Sequence, residues 1–192
     1  MSDDRPRPVT VARQDRPGGA VQDEALAERV AEFWDAARRT AGRVGRAAGA
    51  GEQVEEWSED AAPPDAWAFG DSPRLADELL ALVLAGRKTA AASLVVEFED
   101  VGDPLPVAGD LSIVLDGRGE PGALIRTTQV EIVPFADVTA EHAWLEGEGD
   151  RSIESWRAEH QRAWRGSLVA LGRELDPSML VVCERFTVLF PV

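Results

Sequence analysis

Four stretches of alternating or β-branched residues, Ala92–Phe98, Asp110–Leu115, Gly122–Val133 and Met179–Phe190, are fenced by Gly, Pro and Asp turns, and they constrain the chain more than any other feature. A side-chain period of two puts every second residue on one face, so each stretch reads as a strand. Between the third and the fourth the period becomes helical. Thr139 precedes a short helix ending at Leu145, Ser152 precedes a second one through Trp164, and either hydroxyl suits an N-cap. Ahead of the first strand, Ser72-Pro73 starts a helix that carries Leu75, Leu79, Leu82 and Val83 and stops at Gly86, which predicts a helix over 73–85. Helices and strands in this order predict an α+β fold with a mainly antiparallel sheet.

Upstream, residues 1–20 are rich in Pro, Gly, Arg and Asp without apolar periodicity and read as a disordered tail. Leu26, Val30, Phe33, Trp34 and Ala37 then recur at helical spacing, giving an N-terminal helix over 21–44. A Gly-, Ala-, acid- and Pro-rich connection over 45–64 reads as a linker to a main domain over 65–192. A length of 192 residues suits one core. No apolar run approaches the ~20 residues of a membrane helix, and the first residues lack the apolar stretch of a signal peptide. The expectation is a cytoplasmic protein with no membrane partner. Cys183 is the only cysteine and sits in the apolar run MLVVCERF, which reads as a buried thiol.

The net charge of −15 argues against sequence-blind nucleic-acid binding, whose affinity comes from phosphate neutralisation. Of the 20 basic residues, 19 are arginine, and Lys88 is the only lysine. Arginine serves a helix C-terminus as well as lysine does, and Arg87 is already there. Lysine at 88 therefore suggests a need for a compact amine whose proton can be lost when burial lowers its pKa. The residue follows a helix-stopping glycine and precedes a strand, in a loop that can present it to a cleft.

Acidic residues concentrate in HAWLEGEGDRSIESW. The calcium-loop pattern fails there, because Arg151 stands at its glycine position and Arg157 at its closing glutamate, so neither a metal nor another cofactor is expected. Glu148 and Asp150 read as a solvated acidic turn. Glu146 lies four residues after His142, so a helix puts both on one face and permits a hydrogen-bonded pair. Ser152 lacks a nucleophile-elbow context, and His160 falls in the apolar stripe Ile153, Trp156, Trp164 and reads as a packed helix residue. Among the six tryptophans, Trp144 and Trp67 are the candidates for stacking in a cleft.

Taken together, AWAFGDSPRLADELLALVLAGRKTAAAS, PVAGDLSIVLDGRGEPGALIRTT, HAWLEGEGDRSIESWRAEH and LVVCERF closely resemble ASCH-domain proteins over about residues 65–190. The resemblance implies a PUA-like β-barrel with flanking helices, here with an added N-terminal helix, and a cleft that holds the lysine of the G-x-K-T turn, Lys88. Small bacterial members of the family deacetylate N4-acetylcytidine with that lysine, a threonine three residues on, and a glutamate after a His-Ala pair. Lys88 and Glu146 match two of these, while Ala91 stands at the threonine position and lacks the oxygen an acyl transfer needs. Longer members act as ribonucleases on single-stranded RNA, and to that activity Lys88 and Ser152 carry over. The resemblance thus implies Lys88, Glu146 and Ser152 as catalytic, and beside it the residues themselves offer Arg87, Thr89, His142, Trp144 and Trp67 as substrate-binding candidates. The reading is an RNA- or nucleoside-binding protein with ribonuclease-like hydrolysis of single-stranded RNA. Amidohydrolysis of an acylated nucleoside such as N4-acetylcytidine, and a non-catalytic protein-interaction module, stand open beside it.

Overall fold

The computed structural model describes residues 19–47 and 61–191. Its first helix, α1 (Gly19–Ala47), is longer at both ends than the 21–44 expected, and the remaining tail (1–18) and linker (48–60) lie outside the described residues. β1 (Asp65–Trp67) is followed by α2 (Pro73–Leu84), β2 (Ala90–Leu94), α3 (Val95–Val101), β3 (Leu111–Leu115) and β4 (Pro121–Pro134). After a 3-10 turn at Phe135–Asp137 come α4 (Ala140–Glu146), α5 (Ile153–Ala163), α6 (Arg165–Ala170) and β5 (Leu180–Phe190).

The strands form one sheet in the order β1-β3-β4-β5-β2, with β1 parallel to β3 and every other pairing antiparallel. It is an open half-barrel, with helices supplying the remaining cover. The β4–β5 ladder runs from Leu124 opposite Phe190 to Pro134 opposite Leu180, with irregularities at Leu124/Ile125 and Thr127/Gln129. Such irregularities bend a long hairpin and let one strand serve two cores.

Three apolar clusters follow from this bend. Val30, Trp34 and Ala37 of α1 bury against Ala66, Ile113, Leu115 and Leu124, and Trp34 Nε1 donates to Ala61 O at 2.9 Å. On α2, Leu79, Leu80 and Val83 pack on Phe69, Val114, Ala123, Ile125 and Phe186. Helices α4 to α6 contribute Ala143, Trp156, Trp164 and Leu168 to a cluster with Leu94, Phe135, Val181 and Cys183. Cys183 is buried as expected, and burial, with the Glu146 and Glu131 charges adding to it, pushes its thiol pKa up to about 12.

One expected strand is wrong in its second half. Ala92–Phe98 was to be extended, but the strand begins at Ala90, ends at Leu94, and turns directly into α3. Val95 and Val96 favour strands by χ1 stiffness. Here Glu97 accepts from Leu94 N at 3.2 Å and from Ser167 Oγ at 2.8 Å, which closes the first helical turn and ties it to α6. Gly102, at φ 74, stops the helix.

Candidate functional site

Lys88 is positioned by the way α2 ends. Ser72 caps the helix by accepting from Leu75 N, and Pro73 fills its first turn. At the other end Gly86 takes φ 65, and the amides of Arg87 and Lys88 both donate to Leu82 O, at 2.9 and 3.0 Å. Thr89 is then pinned from two sides: its N–H donates to Leu145 O at 2.8 Å, and its carbonyl accepts from Phe186 N at 2.9 Å. The G-x-K-T turn is thereby stitched to the end of α4 and to β5.

The facing piece is the EGEGD turn. Thr139 caps α4 by accepting from His142 N at 3.1 Å, and Gly147 ends it at φ 74. A Cβ on Gly147 would stand 2.3 Å from Arg87 O, so the two turns approach as closely as only glycine permits. Arg87 reinforces the junction by donating through Nη2 to Gly149 O at 3.1 Å.

Between these turns Lys88 and Glu146 are each 1% exposed. Lys88 Nζ donates to Glu146 Oε2 at 3.2 Å and to Glu148 Oε1 at 2.5 Å, and it lies 4.9 Å from the centre of the Phe69 ring. Glu146 Oε1 accepts from Trp156 Nε1 at 2.6 Å and faces His142 Nε2 at 3.1 Å, while His160 Nε2 lies 3.6 Å from Oε2. His160 also stacks on Trp156 with ring centres 4.1 Å apart.

The charge states follow from these partners. Burial opposes the charge on Lys88, but Glu146 and Glu148 together outweigh it and hold the ammonium above its ordinary pKa. Burial likewise opposes ionisation of Glu146, yet Lys88, His142 and His160 hold its carboxyl well below the usual carboxylate range. A lysine selected for easy proton loss is therefore not what the fold builds. Lys88 is a fixed cation, and the physical reason is that burial comes with two counter-charges.

The expected His142–Glu146 pair is present. Thr89 donates through Oγ1 to Leu145 O at 3.3 Å, a contact that holds the turn. Trp144 is 57% exposed, with the Arg151 guanidinium 4.6 Å from its ring centre. Trp67 packs edge to face on Phe69, ring centres 4.7 Å apart, one residue removed from Lys88. Ser152 caps α5, accepting from Ser155 N at 3.1 Å and donating to Asp150 Oδ1 at 2.7 Å, so its contacts stay within its own turn. Ala91 is paired with Glu184 in the β2–β5 ladder.

Four members of the cluster escape the sequence reading. Glu148 is a partner of Lys88 rather than a solvated turn residue, and His160 and Trp156 face Glu146 rather than merely packing. The i, i+4 spacing of Trp156 and His160 was the available signal, but that spacing also marks an apolar stripe. Phe69 carried no signal.

A family model for the ASCH domain matches residues 65–190. The chain belongs to the ASCH-domain family. The crystal structure of an ASCH domain from Lactobacillus crispatus is similar at TM-score 0.70 and 27% identity, covering 84% of this chain and 94% of that one. That share exceeds what residues 65–190 represent, so the likeness extends ahead of Asp65. A protein of Enterococcus faecalis is similar at TM-score 0.63 and 39% identity, over 67% of this chain and 78% of that one. No curated protein matches the chain. The half-barrel with its flanking helices is the ASCH form of the PUA-like fold. Among the described residues, no helix is long and apolar enough to cross a membrane.

Proposed function

We propose that this ASCH domain binds a nucleoside, or an unpaired base of single-stranded RNA, by its base edge at Lys88, Glu146 and Glu148. The observation that carries the reading is the convergence of two carboxylates on one ammonium, each within 3.2 Å of it, at the seam of two turns. A base such as cytosine presents an exocyclic amine and a ring carbonyl side by side. A carboxylate accepts from the first, and an ammonium donates to the second. The three groups carry one net negative charge, and the chain carries −15, so a grip on phosphates is disfavoured at both scales. Exposed Trp144, with Arg151 over its ring, offers a stacking surface for a flanking base.

Binding is better supported than hydrolysis. Ala91 has no oxygen to attack with, Thr89 Oγ1 is spent on Leu145 O, and Ser152 Oγ is spent on Asp150. Deacylation of N4-acetylcytidine at this site would therefore need an activated water, and ribonuclease-like cleavage either a water or the RNA's own 2′-hydroxyl as nucleophile.

The test is calorimetric titration of the wild type, Lys88→Met and the double variant Lys88→Met/Glu146→Gln with cytidine, N4-acetylcytidine and a short cytidine-rich RNA. Mass spectrometry of each mixture reads turnover. Wild-type binding that falls at least ~10-fold in both variants supports the reading, the loss of one charge-assisted hydrogen bond being of that size. Equal affinity in all three proteins refutes it. A wild type that binds none of the ligands refutes it too, and leaves the acidic surface to a protein partner.

A further inference from the structure

The Lys88 ammonium is enclosed on three sides, and the three sides differ in how firmly they are held. Glu146 is fixed: besides Lys88, its carboxylate engages Trp156 and His142, with His160 at 3.6 Å. Phe69 is fixed as well, as a buried member of the α2 cluster with Trp67 and Phe186 against it. Glu148 is not fixed. Its side chain is 23% exposed, against 2% for those of Lys88 and Glu146, and among the described residues Lys88 is the one partner of its carboxylate. The residue stands between Gly147 and Gly149, at φ 74 and 49, at the outer rim of the site. Turning its side chain outward breaks one contact, whereas moving Glu146 breaks three hydrogen bonds.

We propose that Glu148 is a displaceable ligand of Lys88: it occupies the place of the incoming acceptor group, gates access to the ammonium, and selects a neutral carbonyl acceptor over a phosphate or carboxylate. The selection follows from what remains when Glu148 swings out. Lys88 and Glu146 then sum to zero charge, and a carbonyl oxygen of a base or amide completes the ammonium's hydrogen bonds without adding any. An anion would instead arrive beside Glu146, which cannot retreat from it. Once outside, the Glu148 carboxylate is free to accept from an amine on the same ligand.

This inference rests on the reading of Lys88 as the ligand-contacting group, but its test uses no nucleoside, so either can fail without the other. Lys88 is the only lysine in the chain, so after acetylation by an N-hydroxysuccinimide ester peptide mass spectrometry separates this amine from the N-terminal one and reports its rate. Cys183, buried in the α4–α6 core, provides an unfolding control through its reaction with a thiol reagent. Relative to the wild type, Glu148→Ala is expected to acetylate Lys88 at least ~10-fold faster with Cys183 no more reactive, as befits a local opening. Glu141→Ala, at an exposed carboxylate bound to Arg185, is expected to leave both rates unchanged. Inorganic phosphate added to Glu148→Ala is expected to leave its Lys88 rate unchanged. A Lys88 rate in Glu148→Ala equal to that of the wild type overturns the gate, as does a parallel rise at Cys183. Protection of Lys88 by phosphate overturns the neutral-acceptor assignment.

Discussion

Replacing Lys88 by Met tests the electrostatic account of the site most severely. The substitution keeps the length of the side chain and removes its charge, leaving Glu146 at 1% exposure without the Lys88 ammonium. Breaking a buried pair by deleting one partner costs about 3–5 kcal/mol, because the remaining charge is neither hydrated nor neutralised. Glu148 adds little to the loss, since its partly exposed carboxylate turns to solvent. Two hydrogen-bond partners, Trp156 and His142, stay on Glu146, which places the expected loss at the lower end, about 3 kcal/mol at pH 7. Its pH dependence gives the decisive sign. In the wild type Glu146 has a folded pKa depressed below its unfolded value of about 4.3, so its stabilisation is full above that pH and is lost as pH falls below it. Without Lys88 the largest depressing influence is gone, and the prediction is that burial, the largest influence on the group, then carries the folded pKa above the unfolded value. The variant then takes up a proton on folding, and its deficit relative to the wild type shrinks as pH falls from 7 toward 5. Urea unfolding followed by tryptophan fluorescence at pH 7, 6 and 5 measures this, and Glu146→Gln with Lys88→Met/Glu146→Gln completes the cycle, the double variant recovering most of the loss. A deficit below about 1 kcal/mol at pH 7, the size of a surface pair, would refute the reasoning. So would a deficit that does not change with pH.

Trp156→Phe keeps most of the ring's packing against Phe135 and Trp164 but removes the indole donor 2.6 Å from Glu146 Oε1; chemical denaturation should show a loss of about 1.5–3 kcal/mol, as for a hydrogen bond to a charge. Gly147→Ala forces a Cβ to within 2.3 Å of Arg87 O at φ 74, and a melting curve should show destabilisation of more than about 1 kcal/mol as the two turns part. Ser152→Ala removes the α5 cap and should cost about 1 kcal/mol in stability while leaving ligand affinity at the wild-type value; a selective loss of binding or turnover would show that Ser152 acts on the ligand after all.

Legibility in the sequence divided along the range of the interactions. Caps were legible because they are local: Ser72, Thr139 and Ser152 each lie three residues before the amide they accept from, and all three start helices where the sequence put them. β3, β4 and β5 were legible because their alternation runs between unmistakable turns. β1 was not, since three residues show no period and are extended only because β3 pairs with them in parallel. Nor was α3, whose first turn is held by Ser167, 70 residues away.

The same division runs through the site. Sequence by itself determined that one lysine stands in a turn after a helix, that His142 and Glu146 share a helical face, and that the glycines around Glu148 permit a tight turn. Only the tertiary structure decided that Lys88 is buried between Glu146 and Glu148, that Trp156 and His160 complete the cage, and that Phe69 closes it from the other core. Positions 88 and 146 lie 58 residues apart, and no local periodicity encodes their meeting. The close approach of Gly147 to Arg87 O encodes it, and whether an ammonium stays charged depends on which carboxylates that approach brings within hydrogen-bonding distance.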